Sequence, residues 1–135
     1  MEGDGQETEE DGAGEPGSSQ LPDPASLVGT LNHWLRRAVL RRVNVDGVLF
    51  SASDLAVVMD IPLNMLGYHV RCLETAGVLL EMDAVPVRGA YERIHTSQVP
   101  DNQIVALVLK NTEAEDIEAE QAYRDQRAKK VRKEE

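Results

Sequence analysis

Pro62 divides the most regular stretch of the chain, and few arrangements accommodate what stands on either side of it. Before it, Leu55, Ala56 and Met59 recur at helical spacing behind Ser53, whose hydroxyl suits an N-cap. After it, Leu63, Leu66, Val70 and Leu73 fall at i, i+3, i+7 and i+10, the apolar face of a second helix. The proline ring disfavours the α conformation at Ile61, while its fixed φ suits the first turn of the next helix. Asp60-Ile61-Pro62 therefore ends one helix and starts another, a helix-turn-helix. The polar face of the second helix carries Asn64, Tyr68, Arg71 and Thr75, with Met65 and Gly67 at its borders.

A slender face of this kind fits the major groove of B-DNA, where an amide, a phenol and a guanidinium reach base edges or phosphates from successive turns. The bland alternative is an ordinary surface helix. The next residues favour the first reading. Val78 to Ala84 is strand-like, Pro86-Val87-Arg88-Gly89 is a turn, and Ala90 to Thr96 is strand-like again. Helix, turn, helix and hairpin in that order predict a mainly α chain with a small β-hairpin (α+β), a winged helix-turn-helix with flanking terminal helices. The candidate DNA contacts are Asn64, Met65, Gly67, Tyr68 and Arg71 on the helix spanning 63–76, Arg88 in the wing at 85–90, and Arg37 upstream.

The stretch LGYHVRCLETAGVLLEMDAVPVRGAYERIH is similar to the recognition helix and wing of bacterial ArsR-type winged-helix regulators. Tyr68, His69, Arg71, Leu73 and Glu74 match the helix pattern, and Arg88, Gly89, Ala90 and Glu92 match the wing. The resemblance covers Leu31 to Thr96. Three positions depart from it: Gly67 stands where a Ser is usual, Trp34 where a Pro usually follows the His, and Arg93 where a second wing His is common. The resemblance implies a double-stranded DNA partner, transcription regulation and a homodimer. Metal-sensing members carry paired cysteines in the helix before the recognition helix, where this chain has LAVVM, or His and Asp in the last helix. The chain thus resembles the branch without the cysteine motif.

Charge is unevenly spread along the 135 residues, whose net charge is −10. Residues 1–24 hold eight acidic residues and no Lys or Arg, with Gly, Ser, Pro and Gln making up most of the rest. Such a segment cannot bury enough apolar surface to offset chain entropy and is expected to be a disordered leader. It has no apolar stretch of a secretory signal. Residues 25–99 form the expected DNA-binding domain. Seven basic and seven acidic residues balance between 25 and 100, so this part is neutral. Phosphate neutralisation supplies most non-specific affinity, so a neutral domain counts against tight binding by a monomer, an objection that weakens if a dimer engages the duplex with two wings. One cysteine excludes an internal disulfide and fits a reducing cytoplasm.

Asp23-Pro24 is an N-cap with Pro at the first helical position, followed by Leu27, Val28, Leu31 and Leu35 at helical spacing. Asn32 can cap a further helix through Val43, with Leu35, Val39 and Val43 inward. Its Arg36, Arg37, Arg41 and Arg42 either touch phosphate or form a solvated face that pairs with carboxylates; the second reading is favoured for the run. Asn44-Val45-Asp46-Gly47 reads as a turn and Val48-Leu49-Phe50 as a third strand. Residues 100–135 form a helical segment. Its apolar run IVALVL fits strand or helix by period alone, and Asp101 as a cap favours helix. Leu27, Ile104, Leu107 and Val108 are the dimerisation candidates. Thr112-Glu113-Ala114-Glu115 reads as a capping box opening a last helix, exposed and frayed near AKKVRKEE.

No Gly-rich phosphate loop, zinc-helix His pair or Ser-His-Asp spacing is present, so an enzyme and a cofactor are not expected, and no small-molecule effector site is identifiable. His69 and Cys72 lie three apart, but tetrahedral metal sites want three or four ligands; a structural His69 packed against the hairpin is the preferred reading. Cys72 as a redox sensor finds support only in nearby Arg71 and His69. The expected function is a DNA-binding transcriptional regulator. The alternative is a winged-helix interaction module in which the hairpin and helix 104–109 bind protein.

Overall fold

A computed structural model describes residues 21–134, and among them six helices and three strands alternate in a fixed order. These are α1 (Pro24–Thr30), α2 (Trp34–Val43), β1 (Phe50–Ser51), α3 (Ala52–Met59), α4 (Leu63–Thr75), β2 (Leu79–Val87), β3 (Ala90–Ser97), α5 (Gln103–Asn111) and α6 (Glu113–Glu134). The strands form one antiparallel sheet in the order β1-β3-β2. The expectation of a disordered leader falls on residues outside those described, apart from residues 21–24. No described helix is long and apolar enough to cross a membrane.

Capping explains where most helices begin. Asp23 accepts from the Ser26 N–H with Pro24 at the first position of α1. His33, not Asn32, opens α2, its Nδ1 accepting from the Leu35 N–H at 3.0 Å. Ser51, not Ser53, caps α3 by accepting from the Asp54 N–H. Asn102, not Asp101, caps α5. In each correction the capping residue lies one or two positions from the expected one, because several cap-competent side chains cluster there and backbone direction selects among them. Asp60 ends α3 in the left-handed conformation, with φ at 57°. Pro62 then precedes α4, whose first turn has no side-chain cap.

IVALVL is helical, and it contributes Val105 to the same core as Leu35, Leu40, Met59, Leu66, Leu73 and Leu79. Leu27 is 1% exposed in that core, so it is unavailable to a second chain as a dimerisation residue. Ile104 and Val108 are half-buried against the core, and Leu107 faces outward. Leu63, expected inward, is 50% exposed at the first position of α4. The hairpin turn is tighter than expected. Pro86 pairs with Tyr91 within the ladder, leaving Arg88 and Gly89 as a two-residue turn with positive φ at both. The third strand is Phe50–Ser51, starting two residues later and ending one residue later than expected.

The arginines of α2 hold the last helix. Arg37 is 8% exposed, donates to both oxygens of Asp116 at 2.8 and 2.6 Å, and donates to the Leu31 carbonyl. Arg41 donates to Asp116, the Leu109 carbonyl and the Thr112 hydroxyl. Thr112 also donates to the Val108 carbonyl, so its hydroxyl serves these partners and the expected capping box does not form. Farther along α6, Tyr123 packs near Trp34 with ring centroids 5.8 Å apart. Arg124 donates to the Met59 carbonyl and Arg127 to the Asp60 carbonyl. Helix α6 extends to Glu134 and braces the turn between α3 and α4.

Candidate nucleic-acid interface

Leu66, His69, Val70 and Leu73 turn one side of α4 into the core. That burial leaves Asn64, Tyr68 and Arg71 exposed at i, i+4 and i+7, with Gly67 on the same side. An added Cβ at Gly67 would meet no heavy atom within 4 Å, so the helix surface there is open. Met65 is half-buried against the core and supports the helix instead of projecting from it.

Between α4 and the hairpin runs a groove of about 340 Å³, lined by Gly67, Arg71 and Glu74 from the helix and Tyr91, Arg93 and His95 from β3. Tyr91, Arg93 and His95 alternate along β3. Glu92, also at the groove, accepts from the Ser51 hydroxyl at 2.5 Å. The Arg93 guanidinium pairs with Glu81 at 3.1 Å. Arg88 is exposed at the hairpin tip with φ at 51°, a conformation that L-residues with long side chains adopt at a cost of about 1 kcal/mol or more.

Of the expected DNA-contacting residues, Asn64, Gly67, Tyr68 and Arg71 share the outward side of α4, and Arg88 is exposed on the hairpin. Arg37 is not among them in space. Its guanidinium is committed to Asp116, with Glu115 at 3.5 Å, and cannot reach a phosphate without breaking a buried ion pair. The hydrogen bond to Asp116 raises the Arg37 pKa, so its charge is fixed. Sequence reasoning missed Tyr91, which is 75% exposed beside the groove; the alternation Tyr91, Arg93, His95 was the available signal.

Behind α4 lies a second polar cluster. His69 packs against α2 and not against the hairpin as expected: its ring lies 4.2 Å from that of His33, and Arg36 Nε donates to its Nδ1 at 3.2 Å. Burial, then the nearby His33 and the Arg36 charge, push the His69 pKa down to about 4. Burial and the charges of Arg36 and Arg37 lower that of His33 as well. Accepting from Arg36 requires Nδ1 of His69 to be unprotonated, which fixes the tautomer. This cluster anchors α4 from the inside while its other side stays free. No protein-family model matches the chain, and comparison with curated proteins gives no match.

Proposed function

We propose that this chain is a winged-helix DNA-binding regulator in which α4 enters the major groove and the hairpin tip follows the adjacent backbone. The observation that carries the reading is the pairing of one outward helix face, Asn64, Gly67, Tyr68 and Arg71, with an arginine-bearing hairpin across a shared groove. Phosphate contacts would come from Arg71, Arg88 and Arg93, and base-edge contacts from Asn64 and Tyr68. Regulation of transcription is the role this contact set serves best. A second copy would raise the number of basic contacts on a charge-balanced domain, and Val28 at 54% and Leu107 at 58% exposure provide apolar surface for it on α1 and α5.

Fluorescence anisotropy of random duplex DNA tests the reading. Binding should weaken steeply and linearly on a log–log plot against salt, as counterion release requires, with the full chain sedimenting as a dimer. Absence of binding at low salt would favour the second reading, a protein-interaction module. Its specific support is the exposed apolar set at the helix turn: Val57 at 81%, Val58 at 64% and Leu63 at 50% exposure.

A further inference from the structure

Arg36, Arg37, Arg41, Arg93, Arg124 and Arg127 each donate to a carboxylate, a carbonyl or a ring nitrogen. Among the described residues Arg71 and Arg88 have no such acceptor, and both are exposed. We propose that the acidic leader, residues 1–20, pairs with these two arginines and stands in for DNA phosphate on the exposed side of α4 until a duplex displaces it. The proposal deepens the DNA-binding reading and rests on it.

Composition supplies the ligand. Of the eight acidic residues in 1–24, Asp23 is occupied in capping α1, and the other seven lie in residues 1–20 with no Lys or Arg among them. Four of these, Glu7, Glu9, Glu10 and Asp11, fall within five positions. A carboxylate offers a guanidinium the same two-oxygen face as a phosphate, so arginines placed to hold DNA can hold this segment too. The carboxylates that line the groove beside Arg71 are turned elsewhere, Glu92 to the Ser51 hydroxyl and Glu74 to His95 Nε2.

Position supplies the reach. The leader joins the described chain at Leu21 and Pro22, and Pro22 lines an open hollow with Thr75 and Ala76 at the end of α4. Thr75 is exposed four residues after Arg71, about 6 Å along the same side of the helix. The leader thus starts beside the surface proposed for DNA. Glu7 to Asp11 precede Leu21 by 10 to 14 positions, and a chain of that length extends at most to about 33–50 Å. Tethering makes the encounter intramolecular, so exposed pairs of modest strength form for part of the time.

The full-length chain is to be compared with a full-length variant carrying Glu7→Gln, Glu9→Gln, Glu10→Gln and Asp11→Asn, which leaves every described residue in place. At low salt and without DNA, the Nε–Hε resonances of Arg71 and Arg88 should differ between the two proteins in NMR spectra, while that of Arg42 on α2 stays in place. Affinity for random duplex DNA should be about threefold higher in the variant, the effect of arginines occupied about two-thirds of the time. Added salt should close that gap by screening the pairs. Unmoved resonances of both arginines would overturn the proposal even if the variant binds DNA more tightly, since loss of four negative charges by itself weakens long-range repulsion. Equal affinity of the two proteins for DNA would overturn the competition. If neither protein binds DNA, the DNA-binding reading and the competition fall together; unmoved resonances with DNA binding intact remove the leader contact alone.

Discussion

Asp116 is 4% exposed yet charged, and the reason lies in what surrounds it. Burial alone would raise its pKa, but hydrogen bonds from Arg37 and Arg41 outweigh that and hold it below the ordinary carboxylate value. Its contribution to stability is therefore present above the unfolded value of 3.8 and is lost as pH falls through the lower folded value. His69 acts higher on the pH scale. Its folded pKa of about 4 lies below the free value of 6.5, so between these the unfolded chain binds more protons and stability is lost as the pH falls. Urea unfolding should lose about 2 kcal/mol between pH 7 and pH 5 from this group, by proton linkage. His69→Gln keeps an acceptor for Arg36 and should remove most of that slope; an unchanged slope would show that His69 is not the group responsible. Little of this was legible beforehand. A run of four arginines on one helix gives no sign of which guanidinium turns inward, because the deciding partner, Asp116, lies 79 positions away from Arg37.

At the scale of elements, helices with an apolar stripe and a strong stop were readable. Asp60-Ile61-Pro62 placed the break between α3 and α4, and Asp23-Pro24 placed the start of α1. The last helix was harder to read, because α6 has few apolar residues and docks through Asp116, Tyr123, Arg124 and Arg127 instead. Polar docking leaves no periodic hydrophobic signal. The hairpin turn shows the opposite case, a local sequence preference set aside. Two-residue turns with positive φ at both positions favour Asn-Gly, yet Arg88 occupies the first. Arg88→Asn should therefore raise thermal stability by about 0.5–1 kcal/mol, since Asn tolerates the left-handed conformation that Arg resists. The same substitution should weaken DNA binding. A variant no more stable than the parent would show that the turn is unstrained with Arg in place.

The whole molecule is organised around the exposed side of α4. The core of α1 to α5 fixes the helix, the His33–His69–Arg36 cluster holds its inner side, and α6 runs across α2 to reach the turn before it. Removing the chain beyond Val99 would expose the core, since Val105 is fully buried and Asp116 pairs with Arg37, so surface substitutions test the assembly better than truncation. Such substitutions separate two classes of contact. Arg88→Ala should weaken binding to all duplexes alike and lower the salt slope by roughly one unit, because one phosphate contact releases about one counterion. Tyr68→Ala should cost about 1–3 kcal/mol on a preferred site selected from random duplexes and much less on random DNA, as expected for a base contact. The most direct measurement is that difference for Tyr68→Ala between selected and random duplex, at one salt concentration. A loss confined to the selected site is the predicted result; equal affinity to the unsubstituted chain on both duplexes would show that α4 does not enter the groove.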